Sequence, residues 1–153
     1  EAVGRGTGLD DERLRRKRDT VASAIAVNAP DPENPLDVLS KLGGLEIAGL
    51  TGVILGGAAM RCPVVIDGFI SSVAALVASR LAPHALEYMI PSHLSAERGH
   101  MRLLEHLGLE PVLNLRMRLG EGTGAALTFP LLDAAVAVMK EMATFDSAGV
   151  SRG

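Results

Sequence analysis

The 153-residue chain has no tryptophan, one tyrosine, three phenylalanines and one cysteine. So few rings leave no series of stacking platforms for nucleic-acid bases, and they oblige the core to be built from Ala, Val, Leu and Ile. The lone Cys62 excludes an internal disulfide and a cysteine-rich zinc site, which fits a reducing, cytoplasmic setting. Positive charge is not in excess either: a formal net charge of −3 speaks against nucleic acid as a partner. Long apolar runs are also lacking. The longest, residues 45–60, holds Glu46 and several glycines and falls short of the ~20 apolar residues of a membrane span, so it reads as a buried helix and no membrane partner is expected. The polar, glycine-rich start does not read as a signal peptide.

What is present suffices for one folded domain, since 48% of residues are hydrophobic. Asp10 is a good N-cap for a first helix, with Leu14, Val21 and Ile25 at helical spacing on one face. Asn34-Pro35 starts a second helix, which Gly43-Gly44 ends. The third runs from Leu45 to Met60, with Gly52 and Gly56 four apart so that a neighbour can pack close. Val64 to Ile66 is continuously apolar, as in a parallel strand covered on both faces. A helix over 69–80, a second strand over 86–90 and a helix over 97–107 follow. Residues 112–117 are left between strand and irregular chain, and 122–145 read as helix, with Pro130 as the point where it would kink. Strands alternating with helices predict an α/β fold: three layers, with a largely parallel, Rossmann-like sheet flanked by helices. Ligands in such sheets sit at the carboxyl ends of strands, where Asp67-Gly68 and the stretch from His93 to Ser95 fall.

Several constellations carry chemistry, each with a plainer reading beside it. Glu121 stands between Gly120 and Gly122 just ahead of a long apolar helix. It is either a surface carboxylate favoured by the helix dipole or a general base held against a substrate. Gly4-Arg5-Gly6-Thr7-Gly8 is either a simple turn or a backbone cradle for phosphate or ribose. It lacks the Lys-Ser/Thr of a Walker loop and the glycine spacing of the dinucleotide fingerprint. Arg13, Arg15, Arg16, Lys17 and Arg18 suit a solvated helix face, from which one member could turn inward to a phosphate. His93, Glu97 and His100 have spacings that could gather a metal, but they depart from His-Glu-x-x-His and begin in Pro91-Ser92, so no metal site is expected. Ser92 and Ser95 serve as caps or as hydroxyl donors to an anion. Asp67 either holds a ribose hydroxyl or caps the helix after Gly68.

Taken in order, five segments go further than any one of them: residues 4–11 (GRGTGLDD), 43–47 (GGLEI), 65–69 (VIDGF), 93–100 (HLSAERGH) and 118–125 (RLGEGTGA), followed by the tail Met142-Ala143-Thr144-Phe145. Together they resemble the nicotinate-nucleotide–dimethylbenzimidazole phosphoribosyltransferase family over nearly the whole chain. The resemblance implies an α/β homodimer that makes α-ribazole 5′-phosphate and nicotinate from nicotinate mononucleotide and dimethylbenzimidazole, a step in building the lower ligand of cobalamin. It implies Glu121 as the proton acceptor, Lys17 as the substrate-binding lysine of the first helix and Leu119 as a border of the aromatic base. Gly6, Asp67, Ser95, Gly120 and Gly122 complete the substrate-binding set, with phosphate near Gly6, Ser95 and Lys17. No metal and no cofactor is called for. Members of the family are roughly twice as long, so residues 1–153 are expected to form the C-terminal portion of the catalytic domain. The missing half would carry much of the base pocket, and its absence would leave apolar surface open. Leu45 stands where the family commonly has Phe. Two alternatives remain at this level: the same fold acting on another benzimidazole, a purine or a phenol, and an incomplete nucleotide-binding fragment or subunit.

Overall fold

The structure, a computed structural model, describes residues 3–5 and 8–150, so the expected phosphate contact at Gly6 lies outside the described residues. Helix α1 spans Asp11–Asn28, α2 Pro35–Leu42, α3 Leu45–Ala59, α4 Phe69–Leu81, α5 Arg98–Leu107 and α6 Thr123–Glu141. Strands β1 Val64–Ile66, β2 Met89–Pro91, β3 His93–Ser95 and β4 Leu113–Met117 lie between them. Local chemistry explains the helix ends. The Asp10 carboxylate accepts the Arg13 N–H at 2.8 Å, Asn34 Oδ1 accepts from Leu36 and Asp37, and Gly108 closes α5 at φ +66°.

Among the described residues all strand pairing is parallel. β2 pairs with β1, Val64 opposite Met89, and β3 pairs with β4, His93 opposite Leu113. Ser92 joins the two halves: its N–H donates to Ile66 at 2.8 Å and its carbonyl accepts from Leu113 at 2.9 Å. Residues 89–95 thus act as one central strand that pairs first to one side and then to the other. Helices flank these short strands, giving a mixed α/β fold.

Several expectations need correction. Residues 83–88 form a 3-10 helix, so the second strand begins only at Met89. Pro83 at the first position favours a helical turn, and the turn seats Ala85 in the core. Gly52 and Gly56 face open space, and the close approach occurs at Gly57, where a Cβ would overlap the Val64 side chain. On α1 only Leu14 is buried, whereas Val21 and Ile25 are exposed. α6 runs unbroken through Pro130 and ends at Glu141. Thr144 and Ser147 then hydrogen-bond to each other around a turn.

The core centres on α4, whose small residues Ala74, Ala75 and Ala78 have no exposed surface and let Ile54, Ile66, Met89 and Leu107 close around them. The thin aromatic content is thereby matched by close helix approach rather than by large rings. Apolar surface stays open on α3, with Leu45 92% and Val53 60% exposed, and on α6, with Met139 84% exposed. By length and composition α6 is also long and apolar enough to cross a membrane, the only such helix among the described residues. Its first turns nevertheless seat on the sheet: Thr128 is fully buried and its hydroxyl reaches the Ser92 carbonyl, between β2 and β3, at 3.4 Å.

Candidate active site

A cleft of about 790 Å³ opens at the carboxyl ends of β1 and β3. Three helices begin there. Gly68 and Phe69 bring the start of α4, Glu97 and Arg98 the start of α5, and Gly120 the turn that leads into α6. Each helix start carries the positive end of its dipole and N–H groups without intrahelical partners, which favours negative charge, and at α6 the Asp67 carboxylate already takes one of these N–H groups. Side-chain charge adds to this, with Arg5, Lys17, Arg98 and Arg118 against Asp67 and Glu97. Arg5 is turned to Asp11 in an ion pair, and Lys17 Nζ donates to the Gly4 carbonyl at 3.1 Å.

Asp67 does something the sequence did not disclose. Its Oδ1 accepts the N–H of Ala125 at 3.0 Å, capping α6 across 58 residues of chain rather than the helix that follows Gly68. One carboxylate therefore fixes the start of α6 against the end of β1. The approach is tight, because a Cβ on Gly124 would overlap the His93 ring. Just before that start, Gly120, Glu121 and Gly122 have φ of +80°, +56° and +75°. For the two glycines this left-handed run is easy, but for Glu121 it costs about 1–2 kcal/mol. The run fixes the direction in which the exposed Glu121 side chain leaves the turn.

Arg118 reaches the cleft through an irregularity. From His93 to Ser95 β3 advances two residues, while its partners Leu113 and Met117 are four apart on β4. The bulge places Arg116 at φ +54°, and beyond it Arg118 lines the cleft.

The tautomer of the central His100 follows from its neighbours. The Ser95 N–H donates to His100 Nδ1 at 2.9 Å, so Nδ1 carries no proton. Nε2–H then donates to Ser72 Oγ at 2.9 Å, and the Ser72 hydroxyl donates to the Gly68 carbonyl. Neutral His100 thus ties Ser95 to the first turn of α4. Burial, and then the neighbouring His93, push its pKa down from 6.5 to about 4, against a smaller upward pull from Asp67. Unfolded chain takes this proton near pH 6.5 and folded chain only near pH 4. The stabilisation is therefore complete above pH 6.5 and lost progressively as pH falls towards 4, by up to ~1.4 kcal/mol per pH unit. Urea midpoints between pH 7 and 4.5 should fall accordingly, and His100→Gln should flatten that slope. An equal slope in the variant would contradict the assignment.

Of the residues singled out in the sequence, Lys17, Asp67, Ser95, Glu97 and Gly120 line this one cleft. Glu121 is exposed next to Gly120, Gly122 is the N-cap residue of α6, and Leu119 is 74% exposed. His93 and His100 meet edge-on with centroids 6.2 Å apart, and His100 has both nitrogens engaged. No three His, Cys, Asp or Glu side chains gather as a metal site among the described residues. His93, Arg98 and Arg118 also line the cleft. His93 was marked by its place at a strand end, whereas Arg98 and Arg118 fell within the segments 93–100 and 118–125 without being singled out, and for Arg118 the β4 bulge has no local sequence signature.

Residues 1–150 match a family described as phosphoribosyltransferase. The nicotinate-nucleotide–dimethylbenzimidazole phosphoribosyltransferase of Desulforudis audaxviator is 60% identical over 99% of this chain and 43% of its own length. That of Geotalea uraniireducens is 55% identical over the whole chain and 44% of its own length. A crystal structure of CobT from Thermus thermophilus superposes with a TM-score of 0.90 at 48% identity, over 99% of this chain and 45% of that one. The chain thus spans somewhat less than half the length of these relatives.

Proposed function

With the chain a member of this phosphoribosyltransferase family, we propose that it carries one wall of a site that moves a phosphoribosyl group from nicotinate mononucleotide to dimethylbenzimidazole. The observation that supports this best is the cleft itself: three helix starts and Lys17 at an anion-binding floor, with the Gly120–Gly122 turn presenting Glu121 beside it.

In this reading the 5′-phosphate lies against Lys17, Ser95 and the helix starts. One benzimidazole nitrogen attacks the anomeric carbon as the bond to nicotinate breaks. The nicotinate ring nitrogen is cationic while attached and leaves neutral with the bonding pair. The attacking base gains that positive charge, and its other nitrogen releases a proton to Glu121. Displacement from the opposite face turns the β linkage into α. A positioned base contributes ~10²–10⁴-fold, and alignment of two substrates as much or more. Leu119, two residues before Glu121, suits the edge of an aromatic base. The open apolar surface of α3 and α6 supports an assembled homodimer of full family length, and the single cysteine supports a cytoplasmic setting.

The test is product analysis. Nicotinate mononucleotide is offered with dimethylbenzimidazole, other benzimidazoles, purines and phenols in competition. Nicotinate release should be fastest with dimethylbenzimidazole, and the product should be the α anomer. A β product, or no release with any base, would overturn the reading.

A further inference from the structure

His93 has no part in the proton transfer described above, yet it is buried, hydrogen-bonded to Ser92 and tightly packed against Gly124. It lines the cleft while only 3% exposed. Its tautomer follows from its neighbours. The Ser92 hydroxyl donates to the Asp67 carbonyl at 3.0 Å, which uses its one proton. Ser92 Oγ can therefore only accept from the ring, so His93 carries its proton on Nδ1, 2.9 Å from that oxygen. Asp67 Oδ1, 4.0 Å from Nδ1, favours the same form. Nε2 is left with a free lone pair. It has no partner among the described residues, and no buried side-chain nitrogen or oxygen among them lacks one. Nε2 is therefore the ring atom that meets the cleft. The ring cannot turn away, because Gly124 packs against it so closely that no Cβ fits between.

A fixed acceptor in a cation-rich cleft calls for a neutral ligand donor. The phosphate dianion and the carboxylate of nicotinate mononucleotide offer only acceptors, and its pyridinium nitrogen carries no hydrogen. The hydroxyls of its ribose are the donors that remain. We propose that His93 Nε2 accepts a hydrogen bond from a ribose hydroxyl of the phosphoribosyl donor and makes the site selective for ribose over deoxyribose. This rests on the phosphoribosyl reading of the cleft. A buried polar group left unpaired penalises the analogue that lacks its partner, which is how such sites discriminate.

The experiment compares nicotinate mononucleotide with its 2′-deoxy and 3′-deoxy analogues in an enzyme of full family length carrying this sequence. In the wild type, kcat/KM should drop about 10–100-fold for the analogue that lacks the bonded hydroxyl. In His93→Phe the same analogue should lose no more than about twofold. His93→Gln, whose amide reaches the Nε2 position, should restore most of the discrimination. The intrinsic reactivity of the deoxy sugars cancels in this comparison. Equal discrimination in wild type and His93→Phe would overturn the proposal. Should His93→Phe fail to fold, ¹⁵N-histidine NMR of the wild type decides. The Nε2 resonance should move on saturation with nicotinate mononucleotide and stay put with the deoxy analogue; an unmoved resonance with both would overturn it. Wild-type enzyme that neither binds nor turns over nicotinate mononucleotide would remove the phosphoribosyl reading itself, a result distinct from the loss of His93's role alone.

Discussion

Glu121→Gln, in an enzyme of full family length carrying this sequence, is expected to lower turnover by about 10²–10⁴-fold while nicotinate mononucleotide affinity stays within about twofold. Glutamine has the same shape and backbone demands, so the left-handed turn at φ +56° persists and only the proton acceptor is lost. The position also offers a control. Glu121→Gly relieves the left-handed strain, so it should cost no stability in urea while turnover falls as far as in the glutamine variant. A purely structural carboxylate would behave in the opposite way, losing stability before turnover. Near-wild-type turnover of Glu121→Gln under saturating substrates would remove Glu121 from the proton step.

Lys17→Ala should raise KM for nicotinate mononucleotide by about 10–100-fold, in line with a hydrogen bond to a charged group. Inhibition by inorganic phosphate should weaken in parallel. Lys17 is exposed apart from its 3.1 Å contact with the Gly4 carbonyl, so the thermal midpoint should hardly move. Lys17→Arg should recover only part of the affinity, because a planar fork does not replace a compact ammonium at one oxygen. The split matters: turnover at saturation should fall far less than KM rises. An unchanged KM would place the phosphate elsewhere.

What local chemistry encodes was legible. Asp10 and Asn34-Pro35 mark helix starts by hydrogen bonds within a few residues, and the apolar Val64–Ile66 run marks a parallel strand, although only Ile66 of it is buried and Val64 and Val65 are half-buried rather than covered on both faces. Lys17, Asp67, Ser95 and Gly120 meet at one cleft because strand ends and helix starts converge there in a parallel fold. Features made by distant partners were not legible. The cap of α6 by Asp67 spans 58 residues, and the β4 bulge that admits Arg118 depends on pairing with β3. The 3-10 helix at 83–88 carries a periodicity too short to separate from a strand. Spacing suggested close packing at Gly52 and Gly56, whereas contact with Val64 selected Gly57.

The central claim is that one cleft holds the phosphate of the donor at Lys17 and Ser95 and turns its anomeric carbon towards Glu121. A crystal structure of the full-length enzyme with nicotinate mononucleotide bound tests it most directly. The account predicts phosphate oxygens within about 3 Å of Lys17 Nζ and the Ser95 region, the ribose beside His93, and the anomeric carbon on the Glu121 side with room for a base between them. Phosphate bound away from Lys17 and Ser95, or an anomeric carbon facing away from Glu121, would contradict it.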